Sequence, residues 1–320
     1  MPLPDRRPDV KRRFPALRWV MLILVLGIGR FADPTMAASW GARDGSRAEP
    51  PSAPGPGKTV RVHLIAEDRV VTIAPGVQMR AWTFNGSIPG PTLRARVGDT
   101  VEVRFTNRGT MAHSVDFHAA QADWKTAFRS IAPGESLTFT FKPRYPGAFL
   151  YHCGTPPVLL HMGSGMYGAL IIDPVEPLPA AREFILVHSE FFLEGSTGIR
   201  RPDYQKMLRS QADYSAFNGR AFRYRDAPLR VTRGERVRIY LVNAGPRRPC
   251  AFHVIGQQLD TVYPGAPPTG ALHGVQTYSV PPGGGAIFEL LMDIRGHFPF
   301  VNHDVGHGDQ GAFGILEVED

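Results

Sequence analysis

Only two cysteines, Cys153 and Cys250, occur in 320 residues, so the chain is not a disulfide-stapled scaffold and each thiol needs its own explanation. No apolar stretch reaches the roughly 20 residues that span a bilayer. The run from Trp19 to Gly29 is about half that length. Charge of one sign is scarce once residues 1–38 are set aside. They hold seven Lys/Arg and three Asp/Glu, and without them the net charge falls from +7 to +3. That leaves no basic face of the kind nucleic acid demands, and no nucleic-acid partner is expected.

What is present begins with an export leader. Lys11, Arg12, Arg13 and Arg18 precede the apolar run and small residues follow at Ala37 and Ala38, the pattern of a signal peptide over residues 1–38. The competing reading is a retained anchor, for which the run is short. Either way the mature chain is expected in the periplasm or on the extracytoplasmic surface. Residues 39–58 are mostly Pro, Gly, Ser and Ala without apolar periodicity and read as a flexible linker.

Beyond the linker, alternating stretches such as Thr100 to Thr106 and Ser136 to Lys142 are punctuated by Pro133-Gly134 and Pro146-Gly147. This predicts an all-β chain of antiparallel sandwich type. The landmarks then recur: Phe84-Asn85-Gly86 returns as Phe217-Asn218-Gly219, offset by 133 residues, and Phe117-His118 returns as Phe252-His253, offset by 135. Two tandem β-sandwich domains are therefore expected, over 59–174 and 180–320, joined through Pro174 to Pro179. One helix is predicted over Pro202 to Gln211.

Most of the 11 histidines lack ligand-spaced neighbours; His63, His188, His273 and His297 read as structural or surface residues. The segment from Cys153 through His161 to Met166 differs. A thiolate, an imidazole and a thioether at Cys-x7-His-x4-Met, joined by His113 from an earlier strand, form the His2Cys set with an axial Met that suits electron-transfer copper. The alternative, a buried free thiol beside core residues, exposes an exported cysteine to oxidation. Cys250 has no such company and reads as a small buried hydrophobe.

A second set interleaves with the first. Neighbours on a strand point to opposite faces, so if His113 and Cys153 face inward, His118 and His152 face out. Two imidazoles rarely complete a site. His303, which falls near the position of the second repeat corresponding to Cys153, is the candidate third ligand. Three imidazoles leave a coordination position open for a substrate.

These motifs resemble the copper-containing, nitric-oxide-forming nitrite reductases. The resemblance rests on Thr83 to Gly86 with Pro89-Gly90-Pro91, on His113 to His118, on Tyr151-His152-Cys153 through His161 to Met166, on Phe252 to Gly256 and on Val301-Asn302-His303. It runs from about Val60 to Val318 and implies two Greek-key cupredoxin-like sandwiches. It further implies a type 1 copper on His113, Cys153, His161 and Met166 and a type 2 copper on His118, His152 and His303, two per chain. By the same likeness Asp116 is the active-site carboxylate, His253 the active-site histidine and Ile255 the apolar residue shaping the pocket. Asp116 read alone would be a surface or capping carboxylate, and His253 a core histidine.

The family is typically a trimer whose type 2 copper lies between subunits, fed by a small redox protein such as a cupredoxin or cytochrome c. Nitrite is the implied substrate. Thr277 is the candidate to orient His253. The sequence departs from the pattern at Arg247-Arg248-Pro249-Cys250 and in the polar run Asp304 to Asp309, which leaves His307 as either an extra pocket residue or part of a surface loop. The rival functions are a two-domain laccase-like multicopper oxidase, whose His-x-His pairs are absent from this sequence, and a cupredoxin electron carrier without a working type 2 site.

Overall fold

The computed structural model describes residues 56–320. The leader read at 1–38, and all but the end of the linker read at 39–58, lie outside the described residues. The chain is all-β, with four sheets forming two sandwiches. In the first, the strands Ile199–Arg200, Val77–Phe84, Thr59–Ala74, Thr100–Asn107 and Ser136–Phe141 make one sheet. Leu93–Arg96, Tyr167–Asp173, Gly147–His152 and Asp116–Phe117 make the other. The predicted helix is shorter than its signal, Tyr204–Leu208, capped at its start by Asp203, whose carboxylate accepts from Lys206 N–H.

The duplication inferred from sequence is visible bond by bond. Thr59–Ala74 pairs in parallel with Thr100–Asn107, as Arg182–Phe191 does with Glu235–Gly245. Asn85 and Asn218 both sit in the left-handed region, at φ 55° and 53°, a conformation Asn tolerates better than most residues. The Asn85 amide accepts from Ile65 N–H and donates to His63 C=O, and the Asn218 amide does the same with Val187 and Ile185. The repeated Phe-Asn-Gly is thus one turn used twice.

Pairing also fixes register. Phe117 lies opposite Tyr151 in the first sandwich, and Phe252 opposite Asn302 in the second. With Phe117 equivalent to Phe252, Tyr151 matches Asn302 and His152 matches His303. His303, expected near the position corresponding to Cys153, is thus the counterpart of its neighbour His152. In a strand a shift of one residue exchanges faces. This register makes His118 and His152 the counterparts of His253 and His303.

The two sandwiches pack through a third apolar cluster, which includes Ala148, Leu150, Ile171, Val187, Val242 and Ile287. Strand alternation explains how one strand serves both interfaces: Tyr151 and Cys153 join the first sandwich's core, while Ala148 and Leu150 face the second sandwich. A buried ionic link reinforces the join. Arg94 forks onto Asp173 at 2.7 and 2.8 Å and reaches Glu183, on the second sandwich, at 2.7 Å. Burial works to raise the Glu183 carboxyl, but its bonds to Arg94 and Arg238 outweigh that and hold it below the usual carboxylate range.

Candidate metal centres

His113, Cys153 and His161 converge at the edge of the first core, and all three are buried. His161 Nδ1 lies 3.2 Å from Cys153 Sγ and 3.2 Å from His113 Nδ1, which is itself 4.0 Å from the sulfur. Met166 is buried in the same cluster, its carbonyl accepting Cys153 N–H at 3.0 Å and its own N–H donating to the His161 carbonyl at 3.2 Å. The short helix Val158–Gly163 turns the chain back so that His161 and Met166 both reach Cys153.

Burial lowers the His113 and His161 imidazoles to about 4, so both stay neutral and able to donate a lone pair at neutral pH. It also raises the Cys153 thiol, although Ser114 and Thr155 oppose the rise through hydrogen bonds to sulfur. Ser114 N–H points at Sγ from 3.4 Å. Trp82 packs on both imidazoles, with ring centroids 5.6 Å from His113 and 4.8 Å from His161. Trp82 is not legible in the sequence, since nothing local marks a strand residue that meets a loop some 80 positions later.

The second set gathers on the outer face. His118 Nδ1 donates to Gly283 C=O at 2.9 Å, and His152 Nδ1 donates to Cys153 C=O at 2.9 Å. A carbonyl can only accept, so each ring commits its Nδ1 proton and turns a bare Nε2 outward. The two Nε2 atoms are 3.0 Å apart. Two lone pairs at that distance repel unless a cation sits between them, and a divalent metal ion satisfies both. Burial, followed by the neighbouring His118, works to lower the His152 imidazole, and the net shift is downward.

Gly283 belongs to the second sandwich, so the domain join itself orients His118. It adopts φ +78°, and a Cβ there would stand 3.2 Å from His118 Cε1. Glycine allows that carbonyl its approach. Asp116 completes the group, with a carboxylate oxygen 3.8 Å from His152 Nε2.

His303 is not in this group. It is exposed and lies against His253, ring centroids 5.4 Å apart at 69°, much as His118 and His152 stand 5.1 Å apart at 79°. The second sandwich thus repeats the outward histidine pair of the first. Among the described residues no hydrogen bond or ring contact joins the two pairs within one chain. His253 Nδ1 donates to Gln276 C=O at 2.7 Å. That carbonyl takes the role expected of Thr277. Ile255 is 46% exposed and lines a groove of about 380 Å³ together with His303, Val305 and Phe313.

His307 is neither of the two things expected of it. It is buried, its Nδ1 is 3.0 Å from Asn302 Nδ2, and its Nε2 is 3.5 Å from Glu190. Cys250 is a free, fully buried thiol in the second core, in keeping with its reading as a small buried hydrophobe.

Comparison with known proteins places this geometry in context. Residues 66–177 match the multicopper oxidase family. The chain is 40% identical over 271 residues to a copper-containing nitrite reductase of Neisseria meningitidis serogroup B, covering 81% of this chain and 69% of that protein. Among solved structures it is similar to a copper nitrite reductase from Nitrosomonas europaea, with 37% identity, a TM-score of 0.77 and coverage of 82% of this chain and 94% of that one. A multicopper oxidase structure is 32% identical with a TM-score of 0.73, covering 82% and 89%.

Proposed function

The chain belongs to the copper-containing nitrite reductases, and from that premise we propose that it reduces nitrite to nitric oxide as an exported homotrimer. His113, Cys153, His161 and Met166 would hold a copper able to accept electrons from a small redox protein, and His118 and His152, with His303 of a neighbouring subunit, would hold the second copper, where nitrite would be reduced. The observation that carries this reading is the pair of ligand sets meeting at one peptide bond, Cys153 closing the buried set and His152 the outward one. Both donor sets suit copper: a soft sulfur with two neutral imidazoles in one, facing Nε2 lone pairs in the other.

Bound copper supplies a one-electron couple at the first set and, at the second, a Lewis acid that attracts an anion. The side chains do the rest. Each nitrite takes up one electron and two protons, loses one oxygen as water and leaves as nitric oxide. Breaking the N–O bond therefore needs proton donors at the departing oxygen. Asp116, beside the Nε2 of His152, supplies a carboxyl from the first sandwich. His253 supplies the other. Its Nδ1–H is anchored on Gln276 C=O, so the proton it transfers sits on Nε2. Ile255 and the apolar groove beside His303 form the wall that limits water and substrate size.

Asp116→Asn and His253→Ala are each expected to cut turnover by about 10² to 10⁴ with copper content unchanged, the usual range for a general acid. Near-normal rates with full copper would remove them from the mechanism. The function itself is tested by measuring nitric oxide from nitrite with an artificial reductant and counting metal. Two coppers per chain and nitric oxide are expected. One copper and no product would mark an electron carrier, and four coppers with oxygen consumption an oxidase.

A further inference from the structure

The unusual segments Arg247 to Cys250 and Asp304 to Asp309 meet on one buried side chain. Glu190, on the strand Arg182–Phe191, is 1% exposed. Its Oε2 accepts the N–H groups of Arg247 at 2.7 Å and Arg248 at 2.9 Å, on the loop leading into Cys250–Val254, the strand that carries His253. Among the described residues its Oε1 has no hydrogen-bond partner, and His307 Nε2 lies 3.5 Å from it.

The polarity of this network is determined. Asn302 Oδ1 accepts from Ala251 N–H at 2.9 Å and Asp304 N–H at 3.1 Å, so its Nδ2 must be the donor toward His307 Nδ1 at 3.0 Å. His307 Nδ1 therefore accepts, and the ring carries its proton on Nε2, toward Glu190. Asn302 directly precedes His303, and the amide of His303 donates to Ala251 C=O at 2.7 Å. Arg248 and Asp304 close the outer edge with a 2.8 Å ion pair. The loop before His253 is thus bonded to Glu190 directly, and the loop after His303 meets the same carboxylate through the approach of His307.

We infer that Glu190 is a positioning residue for the His253 and His303 pair, acting through His307 and Asn302. This rests on the reading of that pair as catalytic acid and metal ligand. Burial works to raise the Glu190 carboxyl and to lower His307, which agrees with a neutral ring donating from Nε2. Glu190→Gln has the shape but the wrong polarity. If its oxygen keeps the two loop amides, its NH₂ faces the His307 Nε2 proton, and relief requires His307 to change tautomer and Asn302 to turn over, releasing Ala251 and Asp304. His307→Leu removes the link, whereas His307→Gln offers an acceptor toward Asn302 and a donor toward Glu190.

The test uses the copper-loaded enzyme with nitrite and, separately, amide hydrogen exchange on the copper-free protein. Glu190→Gln and His307→Leu are expected to lower kcat at saturating nitrite by about 10- to 100-fold, the range for outer-shell changes at metal sites, and to alter the type 2 copper spectrum. The visible band of the first centre stays intact and exchange of the Ala251 and Asp304 amides speeds up. His307→Gln retains turnover within a few-fold of the parent. Unchanged turnover, spectrum and exchange in both disruptive variants would overturn the inference, as would His307→Gln falling as far as His307→Leu. If Glu190→Gln does not fold, the two His307 variants decide alone. His253→Ala and His303→Ala run beside them: retained turnover there would reject the reading of the pair, and the exchange data would still judge the fastening.

Discussion

Replacing Cys153 with alanine is expected to abolish the intense visible absorption of the copper-loaded enzyme and nitrite turnover driven by its redox partner, while copper at His118 and His152 gives a separate surviving signal. The thiolate is the soft donor that creates the band, and it lies within 4.0 Å of both imidazole nitrogens of its set. Without metal, burial raises the Cys153 thiol, so copper must displace a proton to bind. Alanine leaves two neutral imidazoles and a thioether, a set too weak to hold copper in the same state. The sulfur also begins the covalent path through Cys153 to His152. A Cys153→Ala enzyme that kept the visible band would overturn the assignment. Met166→Leu, by contrast, is expected to keep copper and shift its potential, because an axial ligand tunes the ion more than it holds it.

The first centre was legible because three of its ligands fall on one loop, where spacing alone carries the information. The duplication was legible for a related reason: Phe-Asn-Gly must recur wherever the left-handed Asn turn recurs. What was not legible depends on partners far away in sequence. The polar run after His303 reads as a surface loop or a pocket wall, yet His307 is buried beside Glu190 inside the second sandwich. Gly283 looks like turn punctuation and instead orients His118 across the domain join. The equivalence of His303 with His152 turns on a one-residue register that pairing fixes and pattern does not.

Each sandwich presents an outward histidine pair at the same place in the repeat, and among the described residues of one chain no hydrogen bond or ring contact joins the two pairs. A three-imidazole site then needs the first pair of one subunit to face the second pair of another. In the proposed homotrimer that contact is heterologous and closes as a ring with three equivalent sites. His118→Ala trimers and His303→Ala trimers are each expected to lack type 2 copper and turnover. Co-expressed, the two chains form mixed rings. Around any mixed ring of three, one interface joins an intact His118 and His152 pair to an intact His303, because contacts run in one direction. Purified mixed trimers should therefore regain about a third of the type 2 copper and of the nitrite turnover. Well-formed mixed trimers with no recovered activity would show that the site is not shared, and a copper-loaded active monomer would show the same from the other side.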